Sequence, residues 1–208
     1  MGKRGGTINY GKIANGDIEK QEERIKLMER YLASLGFDTK DPDLKETPRR
    51  IVQMHEELLS SSMLGHNEFS HKITEIMKTE FPLNNDNMVV INDIETTSIC
   101  PHHFAPIRLN VSVVYIPDNG RVVGLSKIPR LIDFLSKRPI MQEELTEDIA
   151  KTIEGTIKTK GVMVVVKGIH SCMTDRGVKT RGYATTSAIK GVFRSVESAR
   201  IEALRLME

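Results

Sequence analysis

Two short segments of this 208-residue chain carry the residue types that bind metals and move protons. The first is Cys100, Pro101, His102 and His103 in SICPHHFAPI; the second is His170, Ser171 and Cys172 in GIHSCM. Thiolate and imidazole are donors that zinc prefers, and three protein ligands with an open fourth position make a catalytic site in which the ion acidifies water. Cys100, His102, His103, His170 and Cys172 are therefore five candidates for three places. On a strand His170 and Cys172 share a face, whereas adjacent histidines on an extended segment face opposite ways. One of His102 and His103 can then ligate while the other meets a substrate, and His170 is left for proton transfer. His55, His66 and His71 have no comparable setting. The two segments are too far apart for a zinc knuckle, so tertiary folding must close the site.

The elements around these groups are readable from periodicity. Helical spacing recurs at Ile25, Met28, Leu32 and Leu35, with Gly36 as a stop. A second helix starts at Thr47, read as its cap, with Pro48 in the first turn and Ile51, Met54 and Leu58 as the apolar stripe. From about Met88 the period shifts towards two: Leu109, Val111, Val113 and Tyr115 share a face, and PDNG supplies the turn of an antiparallel hairpin. GLSKIPRLIDFLSKR returns to helical spacing, with Ser126 as cap and Ile128, Leu131, Ile132 and Leu135 buried. The next helix repeats Leu145, Ile149, Ile153 and Ile157. GVMVVVKGIHSCM and YATTSAIKGVF read as strands flanking a polar turn, and SVESARIEALRLM as a closing helix capped by Ser195. The sum is α+β: a Gly-rich basic tail over 1–16, a helical N-terminal region over 17–75 and an antiparallel catalytic domain over 76–208.

Hydrophobic residues at 39% and charged residues at 28% predict a globular chain, and a net charge of +2 excludes a strongly basic nucleic-acid binder. Phosphate recognition must rest on a few placed cations. Lys127 and Arg130 leave the first turn of the Ser126 helix, where backbone N–H groups already favour anions, and Arg176 follows Cys172 in a turn. Arg49 and Arg50 project from the Thr47 helix. Gln142 and Glu143 pair an amide with a carboxylate, a combination suited to the edge of a purine. No apolar run approaches the ~20 residues that span a bilayer, and the N-terminus lacks the apolar core of a signal peptide. A cytosolic protein is expected, in which two cysteines beside histidines read as metal ligands rather than a disulfide.

CPHHFAPI, GLSKIPRLIDFLSKRPIMQEELT, IHSCMTDRGVKT and ATTSAIKGVF, in this order and spacing, resemble GTP cyclohydrolase I over roughly three quarters of the chain, from ETPRRI to the C-terminus. The resemblance implies a tunnelling fold, in which antiparallel sheets and paired helices of many subunits close into a ring, commonly a homodecamer with active sites between subunits. It implies zinc on Cys100, His103 and Cys172, and His102 with His170 as the proton-transfer pair. Gln142 and Glu143 become guanine-recognition residues; Lys127, Arg130 and Arg176, with Ser126, contact the triphosphate; Arg50 matches an arginine donated by an adjacent subunit. The implied reaction opens the imidazole ring of GTP by hydrolysis, releases formate and, after an Amadori rearrangement, closes 7,8-dihydroneopterin triphosphate. The position between Cys100 and His102 is usually acidic in this family and here is Pro101, which is expected to stiffen the ligand loop and to remove a carboxylate from behind the ligands. Two other readings compete: a tunnelling-fold enzyme acting on a related purine or pterin with iron, and a ring-forming scaffold without catalysis. Intact ligands beside intact proton carriers argue against the scaffold.

Overall fold

Residues 18–208 are described by a computed structural model, with side chains from Lys20 onward; the tail expected over 1–16 lies outside them. The chain divides into two units, the first ending at Phe69 and the second running Ser70–Glu208. In the first, α1 (Ile18–Ser34) packs on α2 (Thr47–Leu58), and a 3-10 turn (Ser60–Met63) leads to α3 (His66–Met77), which crosses the boundary. Gly36, at φ 91°, ends the first helix as expected. Ile25 is buried, but Leu35 is 56% exposed because the helix has stopped before it. In α2 the buried residues are Pro48 and Val52, whereas Met54 is 46% exposed. The expected stripe is thus rotated, and Glu56, accepting from Gln21 at 2.7 Å and Arg24 at 2.5 Å, shows that ion pairing helps set the packed face. Thr47 is itself helical; Glu46 precedes it and no side chain caps the end. Arg49 pairs with Glu22 at 3.2 Å, while Arg50 is exposed.

The second unit is built on a four-stranded antiparallel sheet in the order β2-β3-β5-β6. In chain order, β1 (Glu80–Pro82) precedes β2 (Val89–Ile99) and β3 (Pro106–Pro117), then come β4 (Arg121–Val123), α4 (Lys127–Ser136), α5 (Gln142–Thr156) and β5 (Thr159–His170). A one-turn helix α6 (Ser171–Thr174), β6 (Ala184–Ile189), α7 (Val192–Ser195) and α8 (Glu197–Leu206) complete it. The PDNG turn does not fold β4 back onto β3. Instead β4 pairs with β1 in a separate two-stranded sheet, and the long hairpin is β2–β3, with the Cys100 segment as its turn.

Alternation along β3 sorts the two faces. Ile107, Leu109, Val111, Val113 and Tyr115, each at most 3% exposed, meet the layer in which α4 buries Ile128, Leu131, Ile132 and Leu135 and α5 buries Leu145, Ile149 and Ile153. On the reverse face Val114 and Met163 join Phe193 and Ala203 from α7 and α8 in a second cluster. The closing helix is not capped by Ser195, which ends α7 and bonds back to Val192; Val196 occupies the cap position. No helix among the described residues is long and apolar enough to cross a membrane.

Phe193, fully buried, is the largest member of the reverse-face cluster, so Phe193→Ala is expected to destabilise the fold by about 3–5 kcal/mol. A urea unfolding curve should show the lowered midpoint; an unchanged midpoint would mean that α7 and α8 contribute little to this unit.

Candidate metal centre and active site

The metal-binding segments meet at one end of the sheet. Pairing of Ile107 with His170 brings the end of β5 beside the β2–β3 turn, and α6 follows directly. In that turn Cys100 N–H donates to Ala105 O at 2.9 Å, Phe104 N–H donates to Cys100 O at 2.9 Å, and Phe104 sits at φ 51°. His102 and His103 are therefore in a tight turn, not the extended segment expected, and their separation does not come from strand alternation. Their rings lie 6.3 Å apart and inclined by 68°. Likewise the strand stops at His170, so Cys172 is presented by the single turn of α6 rather than by β5.

Cys100, His103 and Cys172 place one ligand atom each within 4.8 Å of one another. Cys100 Sγ and His103 Nδ1 are 3.7 Å apart. Zinc bonds of about 2.3 Å to sulfur and 2.0–2.1 Å to nitrogen at a tetrahedral angle put two such donors roughly 3.5 Å apart, so the donor set fits zinc in type and spacing. His102 Nδ1 also approaches Cys100 Sγ, at 3.9 Å, yet His102 joins no cluster of this kind among the described residues. Cys100 is buried and Cys172 half-buried. Burial pushes the Cys172 thiol up, the nearby Cys100 thiol adds to this, and its own backbone N–H and Arg176 oppose it. Two thiols pressed together resist sharing negative charge, a conflict that a divalent cation relieves.

His170 stands next to this cluster. Burial lowers its pKa below the usual imidazole value, and the Glu143 carboxylate pulls it back up. Its Nε2 lies 2.8 Å from Gln142 Oε1. Gln142 begins α5 but is only 3% exposed, and its amide nitrogen contacts Val166 O, Ala184 O and Thr186 Oγ1, each at 3.1 Å. Its amide is thus engaged inside the chain through both its nitrogen and its oxygen. Glu143, one position on, points outward and is exposed.

Thr146, Thr186 and Gly168 were not singled out by sequence, although they hold Gln142. Thr146 donates to Gln142 O at 2.7 Å and its hydroxyl lies 2.6 Å from that of Thr186. A Cβ on Gly168 would stand 2.1 Å from Gln142 Oε1. A glycine inside a valine-rich strand is the signal that could have revealed this close approach.

The cations are placed differently. Ser126 precedes α4 with no side-chain capping bond, Lys127 is half-buried, and Arg130 and Arg176 are exposed. The far end of α4 is stitched to β2 beside Cys100, where Ser98 Oγ donates to Arg138 O at 3.3 Å and Ile140 N–H to Ile99 O at 3.2 Å. Lys127 consequently lies a helix length, about 15 Å, from that end. Arg176 stays close to Cys172 through the chain.

Cys100, His103 and Cys172 offer the three thiolate and imidazole donors of the kind that catalytic zinc sites use, and they define a candidate zinc protein. The family model described as GTP cyclohydrolase I matches residues 25–208. GTP cyclohydrolase 1 of Clostridium perfringens is 41% identical over 192 residues, 92% of this chain and 98% of that protein. The Bacillus subtilis protein of the same name is 39% identical over 188 residues, 89% and 95% of the two chains. Among solved structures, an archaeosine synthase QueF-Like in the apo form aligns with 52% of this chain and 97% of its own at 22% identity and a TM-score of 0.43. The chain belongs to the GTP cyclohydrolase I family.

Removing one ligand should empty the site. Cys172→Ala is expected to lose stoichiometric zinc, whereas His102→Ala should retain it, as read by metal analysis of the purified variants. If His102→Ala also emptied the site, the assignment of the two histidines would be reversed.

Proposed function

We infer that the protein is a zinc-dependent GTP cyclohydrolase I, which opens the imidazole ring of GTP, releases formate and forms 7,8-dihydroneopterin triphosphate. The observation that carries this is the convergence of Cys100, His103 and Cys172 in a chain that matches the family over residues 25–208. Zinc held there supplies Lewis acidity at neutral pH, which hydrolysis at a purine C8 requires. The protein's own groups do the rest. His102 and His170 carry protons, one of them to N7 so that C8 becomes more electrophilic. The exposed Glu143 carboxylate accepts from the guanine N1–H and 2-amino group, and adenine, whose donors and acceptors are misplaced, is refused.

Lys127, Arg130 and Arg176, with Ser126, bind the triphosphate, and Arg50 reaches it from an adjacent subunit. The distance from Lys127 to the metal end of its own α4 favours a site completed by a second copy, as does the exposure of Arg50. Among the described residues the sheet leaves β2 and β6 as edges; the outer side of β2 is bridged at Ile99 by Pro139, and the rest of such an edge invites pairing with another chain. A cytoplasmic homodecameric ring with active sites between subunits accounts for these features.

Incubation of metal-replete protein with GTP should yield formate and a fluorescent pterin in parallel. Absence of both with zinc present would overturn the assignment. Glu143→Gln should raise the KM for GTP by about tenfold or more with zinc retained, because the site then loses its charged acceptor; steady-state kinetics and metal analysis check it.

A further inference from the structure

We propose that Gln142 is a positioning residue that fixes the tautomer of His170. This rests on the reading of His170 as a proton carrier. The directions of the hydrogen bonds around Gln142 follow from counting protons. Thr146 Oγ1 donates its one proton to Gln142 O at 2.7 Å. The 2.6 Å contact between the two threonine hydroxyls must then be donated by Thr186, which leaves Thr186 Oγ1 as an acceptor for the Gln142 amide nitrogen at 3.1 Å. That nitrogen also faces the carbonyl oxygens of Val166 and Ala184, each at 3.1 Å. Turning the amide over would press its oxygen against both carbonyls, so the orientation is imposed by the surroundings.

Gln142 Oε1 therefore faces His170 Nε2 at 2.8 Å, and an amide oxygen can only accept. His170 Nε2 must carry the hydrogen, and in the neutral ring Nδ1 is the nitrogen with the free lone pair. The opposite tautomer would set two acceptors against each other. Gly168 makes room for this contact, because a Cβ there would meet Oε1 at 2.1 Å and Leu109 Cδ2 at 3.0 Å. The network selects which ring nitrogen exchanges protons with the substrate, while Gln142, at 3% exposure, stays out of the binding site.

The test uses full-length, zinc-loaded protein. Nitrogen-15 spectra of histidine-labelled wild type should show His170 as the Nε2–H tautomer. Gln142→Met, similar in length but without donor or acceptor, should keep stoichiometric zinc and a KM for GTP within about twofold while kcat falls about 10–100-fold. Gly168→Ala should give the same split without removing the amide. An Nδ1–H ring in wild type, an unchanged kcat in Gln142→Met, or a raised KM with kcat intact would each overturn the proposal, the last because it marks a guanine contact. His170→Ala in parallel separates the two readings: full turnover there sinks the proton-carrier role alone, whereas loss there with Gln142→Met unaffected sinks only the role of Gln142.

Discussion

Ile107 pairs with His170 across β3 and β5, Leu109 with Gly168, and Val111 with Val166. Since strand side chains alternate, this register puts His170, Gly168 and Val166 on the face covered by α5, and Ile169 and Lys167 on the other. A slip of one residue would carry Lys167 under the helix layer and take His170 away from Gln142. The valines hold the register: Val162, Val164 and Val166 are completely buried, and a slip would take all of them out of the α4–α5 layer. The same pairing delivers α6, and with it Cys172, to the β2–β3 turn, so the metal cluster and the histidine beside it depend on one alignment.

The price of a polar cluster inside this apolar layer is small only because it is fully satisfied. Gln142 and Thr146 are at most 3% exposed, next to Leu145 and Ile149, and a buried polar group left without a partner costs about 1–3 kcal/mol. Every donor and acceptor of the Gln142 amide has a partner, so the group is tolerated and, being bonded on all sides, held rigidly. The connector between α4 and α5 acts on the other side of the site. Arg138 Nε donates to Leu135 O at 2.8 Å and its guanidinium meets Asp148 at 2.5 Å, while its carbonyl accepts from Ser98. With Asp148 39% exposed, that ion pair contributes about 0–1 kcal/mol, and its larger effect is to fix the helix pair to the strand that ends at Ile99, next to Cys100.

The helices and strands that surround the site were legible because their periodicities are strong: the α4 and α5 stripes and the β3 alternation are buried as expected. The donor set was legible because cysteines are few and both have histidine company. Features decided by tertiary contacts were not. Nothing local tells α2 to turn Val52 inward instead of Met54, since ion pairs with α1 help choose the face. Strand ends are equally silent: β5 closes at His170 because the β3 partner has reached its turn, and Cys172 falls to a helical turn. Gln142 read only as half of an amide–carboxylate pair at a helix start, and Gly168 across the sheet shows why it points inward.

Pro101 gains a physical account from the turn. Its missing N–H would matter if the turn needed that donor, but the two backbone bonds that close it are donated by Cys100 and Phe104. Proline at this place therefore removes no turn bond, and its fixed φ near −65° lowers the conformational freedom of the segment between Cys100 and His103 before metal arrives. Left-handed Phe104, at φ 51°, absorbs the reversal on the other side of the histidines. Restraint at 101 and at 104 brackets the ligand pair, so the backbone of the turn helps to set the 3.7 Å spacing of Cys100 Sγ and His103 Nδ1.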